Sequence, residues 1–221
     1  MPIYFLSVNL IATGTKCDDR QLGSLLITDV NSNMVMHRYI IPTKPVYDYF
    51  TKITTLNENL LNFGFPLEAI HEEMCFRLGT QHSNVDDPIQ IYTNTEVTVL
   101  QKEEILGGFF AMNEGNIREE KVYITCFCDK FCLQSSKQVF YFGIKELGRS
   151  LLGIVSPRTL NNLFSINEIM KEVHKLSEFY NINDLHSMLL KARESKVSRY
   201  VPFKKFNGVC MSKYNSNNCE C

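Results

Sequence analysis

The sequence predicts an α/β fold whose working end lies at the carboxyl terminus of its first strand. Three observations carry this. Residues 3–11 are a β-favouring, largely apolar run that stops at Ala12-Thr13-Gly14, the pattern of a strand buried on both faces. A second apolar run, 22–30, follows closely, and residues 67–78 and 167–179 repeat their apolar side chains at helical spacing. In α/β folds binding crevices form beyond the carboxyl ends of strands, and here that end carries Asn9 and Ile11.

The elements follow in order. Residues 15–21 read as a polar loop, 22–30 as strand two and Asn31-Ser32-Asn33 as a turn in which asparagine takes the left-handed backbone. Residues 34–41 complete a hairpin, ended by Pro42 and Pro45. Thr54 or Thr55 is placed to cap a short helix over 57–62, with Glu58 close to capping-box position. Pro66 opens the helix over 67–78, whose Leu67, Ile70, Met74 and Leu78 share one face. Residues 81–88 form a loop, 89–93 a strand, 99–110 a helix, 113–120 a loop and 122–127 another buried strand. Helices are expected over 145–152, 167–179 and 184–193. The body of the fold covers 1–200. A basic, then polar tail covers 201–221, with little order beyond Phe206.

Composition narrows the function classes. At 221 residues the chain supports one substantial core, and 44% hydrophobic with 21% charged residues excludes wholesale disorder. A formal net charge of −1 gives no global attraction to nucleic acid or membrane. The charge is unevenly spread, because from Leu185 onward seven Lys or Arg face two acids. No apolar run is long enough to span a membrane. Eight cysteines without a secretory signal point to a reducing, intracellular setting, cytoplasmic or nuclear.

Four stretches together resemble the DEDDh 3′–5′ exonucleases. Asn9-Leu10-Ile11-Ala12-Thr13-Gly14 is similar to the family's first motif, Asp-x-Glu before Thr-Gly. Ile53-Thr54-Thr55-Leu56 matches an Ile-Thr-x-Leu segment leading into a short helix, a Gly turn at Gly64 and a longer helix. Thr93-Asn94-Thr95-Glu96-Val97-Thr98 stands where the family has His-Asn-x-x-Phe-Asp. Asp184-Leu185-His186 through Lys191-Ala192 stands where it has His-x-Ala-x-x-Asp-Ala, on a helix that closes on the first strand. The resemblance spans about residues 3–193. It implies a ribonuclease H-like mixed sheet of about five strands flanked by helices.

It also implies that the metal-binding acids have been replaced, by Asn9, Ile11, Thr98 and Lys191, while His186 keeps the place of the general base. Two-metal phosphodiester hydrolysis needs several carboxylates around Mg²⁺ or Mn²⁺. Isoleucine cannot ligate, asparagine and threonine are weak neutral ligands, and a lysine ammonium opposes a cation. A base without a metal cannot do this chemistry. Lys191 either fills the vacated metal position or simply faces solvent from its helix. The expectation is therefore a pseudoenzyme with no catalytic residues and no cofactor, Mg²⁺ or Mn²⁺ entering only if a reorganised nuclease using His186 survives.

Its expected partners are RNA or single-stranded DNA, proteins of a nucleic-acid-processing complex, or both, and no membrane. Lys191, Arg193, Lys196, Arg199, Lys204 and Lys205 would contact phosphates, with Tyr200, Phe203 and Phe206 interleaved for base stacking. A protein-binding scaffold, its old cleft closed by Ile11 and Lys191, is the further alternative. Cys126, Cys128 and Cys132 are weak zinc candidates, since C-x-C-x3-C is not a standard ligand spacing. Cys126 and Cys128 read better as small hydrophobes facing the core.

Overall fold

In the computed structural model the described residues are 1–16, 18–80, 88–95, 122–134, 139–140, 142–154, 162–195, 205–206 and 209–210. A five-stranded sheet runs in the order β3-β2-β1-β4-β5. Its strands are β1 (Ile3–Ala12), β2 (Arg20–Asp29), β3 (Met34–Tyr39), β4 (Ile89–Thr93) and β5 (Val122–Cys126). β1–β2 and β2–β3 pair antiparallel, whereas β1–β4 and β4–β5 pair parallel. The sheet is therefore mixed, with β1 at its centre, as the resemblance implies.

Alternation along β1 sends successive side chains to opposite faces. Tyr4, Leu6 and Val8 meet Ile70, Met74 and Leu78 of α3 (Leu67–Thr80). On the other face Phe5 belongs to a second apolar cluster with Leu147 of α4 (Ile144–Leu151), Ile169, Met170 and Val173 of α5 (Leu163–Phe179) and Leu185 and Leu189 of α6 (Ile182–Ser195). Phe5, Leu6 and Ile11 are completely buried. Two apolar layers enclosing a doubly buried strand explain why the opening run lacks the polar alternation of a surface strand. Each such side chain contributes about 2 kcal/mol on burial.

Several local expectations are corrected. In the β2–β3 turn the left-handed residue is Ser32 (φ 67°), not an asparagine. Asp29 makes that possible, its Oδ1 accepting the Asn31 and Asn33 amides at 2.8 Å each. The short helix α2 (Glu58–Asn62) is capped by Asn57, whose side chain accepts the Leu60 amide, rather than by Thr54 or Thr55. Those threonines instead end an unpredicted single turn, α1 (Thr51–Thr54). α5 starts a full turn earlier than its apolar period predicts, at Leu163 after the N-cap Asn162. The strand over 122–127 ends at Cys126, and a 3₁₀ turn, Phe127–Phe131, follows. The expected helix over 99–110 and loop over 113–120 lie outside the described residues. In the tail, Lys205–Phe206 pairs antiparallel with Val209–Cys210.

Candidate functional site at the end of the first strand

Asn9 and Ile11 lie on the face of β1 that carries Phe5 and Ser7. The β1–β2 register slips between Asn9 and Leu10, so that Asn9 faces Ser24 while Leu10 faces Leu22, leaving Gly23 as the extra residue. Bulges of this kind re-aim side chains and are frequent beside functional sites. A Cβ at Gly23 would fall 2.5 Å from Leu56 Cδ1 and 3.0 Å from Ile11 Cγ2, so the glycine lets these two side chains close over the bulge.

Ile11 fills the space so created. It is fully buried with Leu56 and Leu61, against Tyr39, Val46 and Tyr49. The position that the resemblance equates with the motif's glutamate is thus part of an apolar cluster. Asn9 is half-buried, and its Nδ2 donates to Ser24 Oγ at 3.3 Å and to the Thr54 carbonyl at 3.4 Å. It is held by neutral acceptors.

The corner that delivers Thr54 is conformationally costly. Phe50 (φ 52°) and Thr55 (φ 65°) both take the left-handed backbone on either side of α1. Each costs of order 1 kcal/mol or more. Thr54 Oγ1 secures the corner by donating to the Tyr49 and Phe50 carbonyls, at 2.8 and 3.2 Å, and accepting the Leu56 amide at 3.1 Å.

Across β1, Asn94 prolongs the parallel pairing with β4. Its Oδ1 accepts the Val8 amide at 2.9 Å and its Nδ2 donates to the Val8 carbonyl at 3.2 Å. The side-chain amide substitutes for one further residue of strand. Thr98 lies outside the described residues.

The helix that closes on β1 is α5. Ser7 Oγ donates to the Leu163 carbonyl at 3.0 Å, and Asn167 Nδ2 reaches the Phe5 carbonyl at 2.9 Å. Asn162, exposed at its N-cap, accepts the Phe164 amide at 2.8 Å. His186 and Lys191 belong instead to α6, which packs on α4 through the second apolar layer. The residues at the N-terminus of α5, Asn162 among them, were not singled out from the sequence. The signal was present, since a capping asparagine precedes the longer of the two apolar periods.

His186 is half-buried, its ring hydrogen-bonded to the Phe131 backbone in the 3₁₀ turn. Burial lowers its affinity for a proton, and that bond partly opposes the effect. Its Nε2 is buried with no hydrogen-bond partner among the described residues. Lys191 is exposed on α6. Arg193 lies in the last turn of α6 and Lys205 in a two-residue strand, while Lys196, Arg199 and Lys204 lie outside the described residues.

Cys126 is buried and Cys128 and Cys132 are half-buried, all three outside any disulfide. A hydrogen bond with Cys128 holds the Cys126 thiol below the usual cysteine range, against the effect of burial. Among the described residues, no group of three or more His, Cys, Asp or Glu side chains could hold a metal ion. No helix among them is long and apolar enough to cross a membrane.

No family model matches this sequence, and no curated protein does. Among solved structures the chain is similar to the Neurospora crassa Pan2 catalytic unit, protease and nuclease domain. The TM-score is 0.56 at 10% identity, over 87% of this chain and 29% of that one. A second similarity, at TM-score 0.34 and 7% identity, is to a 3′-exonuclease structure titled for 3′-end-specific recognition of a histone mRNA stem-loop, over 47% of this chain and 52% of that one. The chain thus spans under a third of the Pan2 structure's length. The likeness to Pan2 concerns the fold: with the sheet order above, the chain has an α/β fold of exonuclease-like, ribonuclease H-like architecture.

Proposed function

We propose that this nuclease-fold domain carries out no metal-dependent hydrolysis and binds RNA or single-stranded DNA as a module of a nucleic-acid-processing assembly. The observation that carries the first half is Ile11, completely buried among Leu56 and Leu61 where the motif has its second acid. A hard divalent cation needs oxygen ligands there, and an aliphatic cluster supplies none. Asn9 adds a neutral amide whose N–H group is engaged with Ser24 and Thr54. His186, left without a metal-bound water to act on, has no substrate proton to take.

Binding is supported by the basic bias after Leu185, of which Lys191 is an exposed member on α6. Lysine and arginine neutralise phosphates and release counterions, which gives affinity without sequence preference. An adaptor role toward protein is favoured by a separate observation. Phe63 and Phe65 are 87% and 47% exposed at the α2–α3 turn, where Phe65 accepts the Ile41 amide at its carbonyl and carries Arg38 5.1 Å from its ring.

The test is a time course with 5′-labelled single-stranded RNA and DNA in Mg²⁺ and in Mn²⁺, resolved on denaturing and native gels. Intact oligonucleotide with a salt-sensitive shift is expected. A 3′-shortening ladder that disappears in His186→Ala would overturn the proposal in favour of a reorganised nuclease. Intact, unshifted oligonucleotide would move the reading to a protein adaptor.

A further inference from the structure

We propose that Lys130 and His174 form a proton-operated latch that fastens the 3₁₀ turn Phe127–Phe131 to α5 at neutral pH and releases it in mild acid. Lys130 Nζ donates to Ser177 Oγ at 2.7 Å, lies 3.2 Å from His174 Nδ1 and sits 5.7 Å from the centroid of the Tyr92 ring. Ser177 Oγ in turn donates to the His174 carbonyl at 2.6 Å.

An ammonium has donors only, so His174 Nδ1 must accept. The imidazole is therefore neutral in this arrangement and carries its proton on Nε2. The ring completes an aromatic triangle with Phe5 and Tyr92, its centroid 6.0 and 5.2 Å from theirs.

Protonation would place an N–H⁺ against the ammonium. The charged or titratable groups facing His174 are Lys130 from the turn, Tyr92 from β4 and Glu178 from its own helix. Glu178 Oε1 is 3.6 Å from Nε2, but that side chain is 60% exposed against 10% for His174, so water screens its attraction. Burial first and Lys130 second both hold His174 below the ordinary histidine value of 6.5, with Glu178 opposing. A histidine lowered in the folded state contributes stability that is complete above that value and is lost as pH falls below it.

The latch matters because of what the turn carries. Phe127 and Phe131 are completely buried, and the Phe131 backbone holds the ring of His186. Losing Lys130 from α5 loosens the support of His186 from the other side.

The experiment is hydrogen exchange of the wild-type chain about one pH unit above and below the histidine range, corrected for intrinsic rates, with imidazole ¹⁵N shifts recorded in parallel. On passing into acid the amides of 127–131 should lose protection, while those of β1 keep theirs. His174 should show the Nε2–H tautomer and a midpoint below 6.5. His174→Asn keeps an acceptor opposite Lys130 but takes no proton, and should abolish the pH dependence. An Nδ1–H tautomer, a midpoint at or above the ordinary value, or equal opening at both pH values would overturn the proposal. Should His174→Asn fail to fold, the wild-type titration decides alone.

Discussion

Asn94 satisfies both main-chain groups of Val8, accepting its amide at 2.9 Å and donating to its carbonyl at 3.2 Å. Val8 is nearly fully buried, so these groups have no water to turn to when the side chain is removed. Asn94→Ala should therefore cost about 1–3 kcal/mol, the desolvation penalty of buried groups left unpaired. Asn94→Asp keeps the acceptor for the Val8 amide but aims a carboxylate oxygen at the Val8 carbonyl, and should be no better than alanine at neutral pH. Urea unfolding of both variants checks the order.

A similar argument applies at the helix that closes on β1. Asn167 is fully buried, and its Nδ2 points at the Phe5 and Leu26 carbonyls and Thr28 Oγ1, at 2.9, 3.2 and 3.1 Å. Asn167→Asp replaces a shared donor with a buried charge facing three oxygens. It should destabilise by more than Asn167→Leu, which only leaves those acceptors unpaired. If the aspartate variant unfolded at the same urea concentration as the leucine variant, this brace would not be what docks α5.

Placing acids at positions 9 and 11 should fail unequally. Asn9→Asp changes a half-buried amide and should be mild. Ile11→Glu puts a carboxyl into the sealed cluster of Leu56 and Leu61 and should cost several kcal/mol, or force the glutamate to stay protonated. Neither Asn9→Asp nor the double variant should gain melting temperature from Mg²⁺ or Mn²⁺. A metal-dependent rise in either would show that a cation site survives at this end of β1, and would remove the main support for an inactive domain.

Acid should also weaken the junction of β3 with α3. Glu73 receives Arg38 Nε at 2.7 Å and Nη2 at 2.5 Å, and Arg77 Nε at 2.7 Å. Burial pushes its carboxyl up, but the hydrogen bonds and charges of the two arginines outweigh this and leave it below the ordinary value of 4.5. A depressed carboxylate contributes stability that is present above that value and lost as pH falls through the lower folded one. Glu73→Gln should lower the urea midpoint at neutral pH and flatten the loss of stability on acidification below 4.5. A variant with the wild-type acid profile would assign that loss to other groups.

Strand and helix identity was legible wherever one period dominated: β1 through its continuous apolar run, α3 through Leu67, Ile70, Met74 and Leu78. The ends were less so, because caps and turns are decided by contacts from elsewhere. Asp29 reaching across the hairpin, not an asparagine's own preference, sets the left-handed Ser32. The site was legible only as a substitution pattern. Asn9 and Ile11 stand out by type, but the Gly23 bulge that packs Ile11 against Leu56 depends on strand register. Which of two consecutive helices closes on β1 was equally hidden. Ser7 and Asn167, small polar residues within apolar periods, make the contacts that choose α5.

Lys191 separates the nucleic-acid reading from its rivals most directly. It is exposed on α6, among the exposed side chains Ser187 and Met188, two and one positions before Leu189 turns inward. If it contacts a phosphate, Lys191→Ala should weaken binding of single-stranded oligonucleotide at every sequence alike. The slope of log K against log salt should then fall by about 0.7, the counterion release of one phosphate contact on a single strand. Lys175→Ala is the control, because that ammonium is already paired with Glu172 at 3.0 Å on α5. Equal slopes in the two variants would mean that Lys191 faces only solvent, and that any binding by this domain uses another surface.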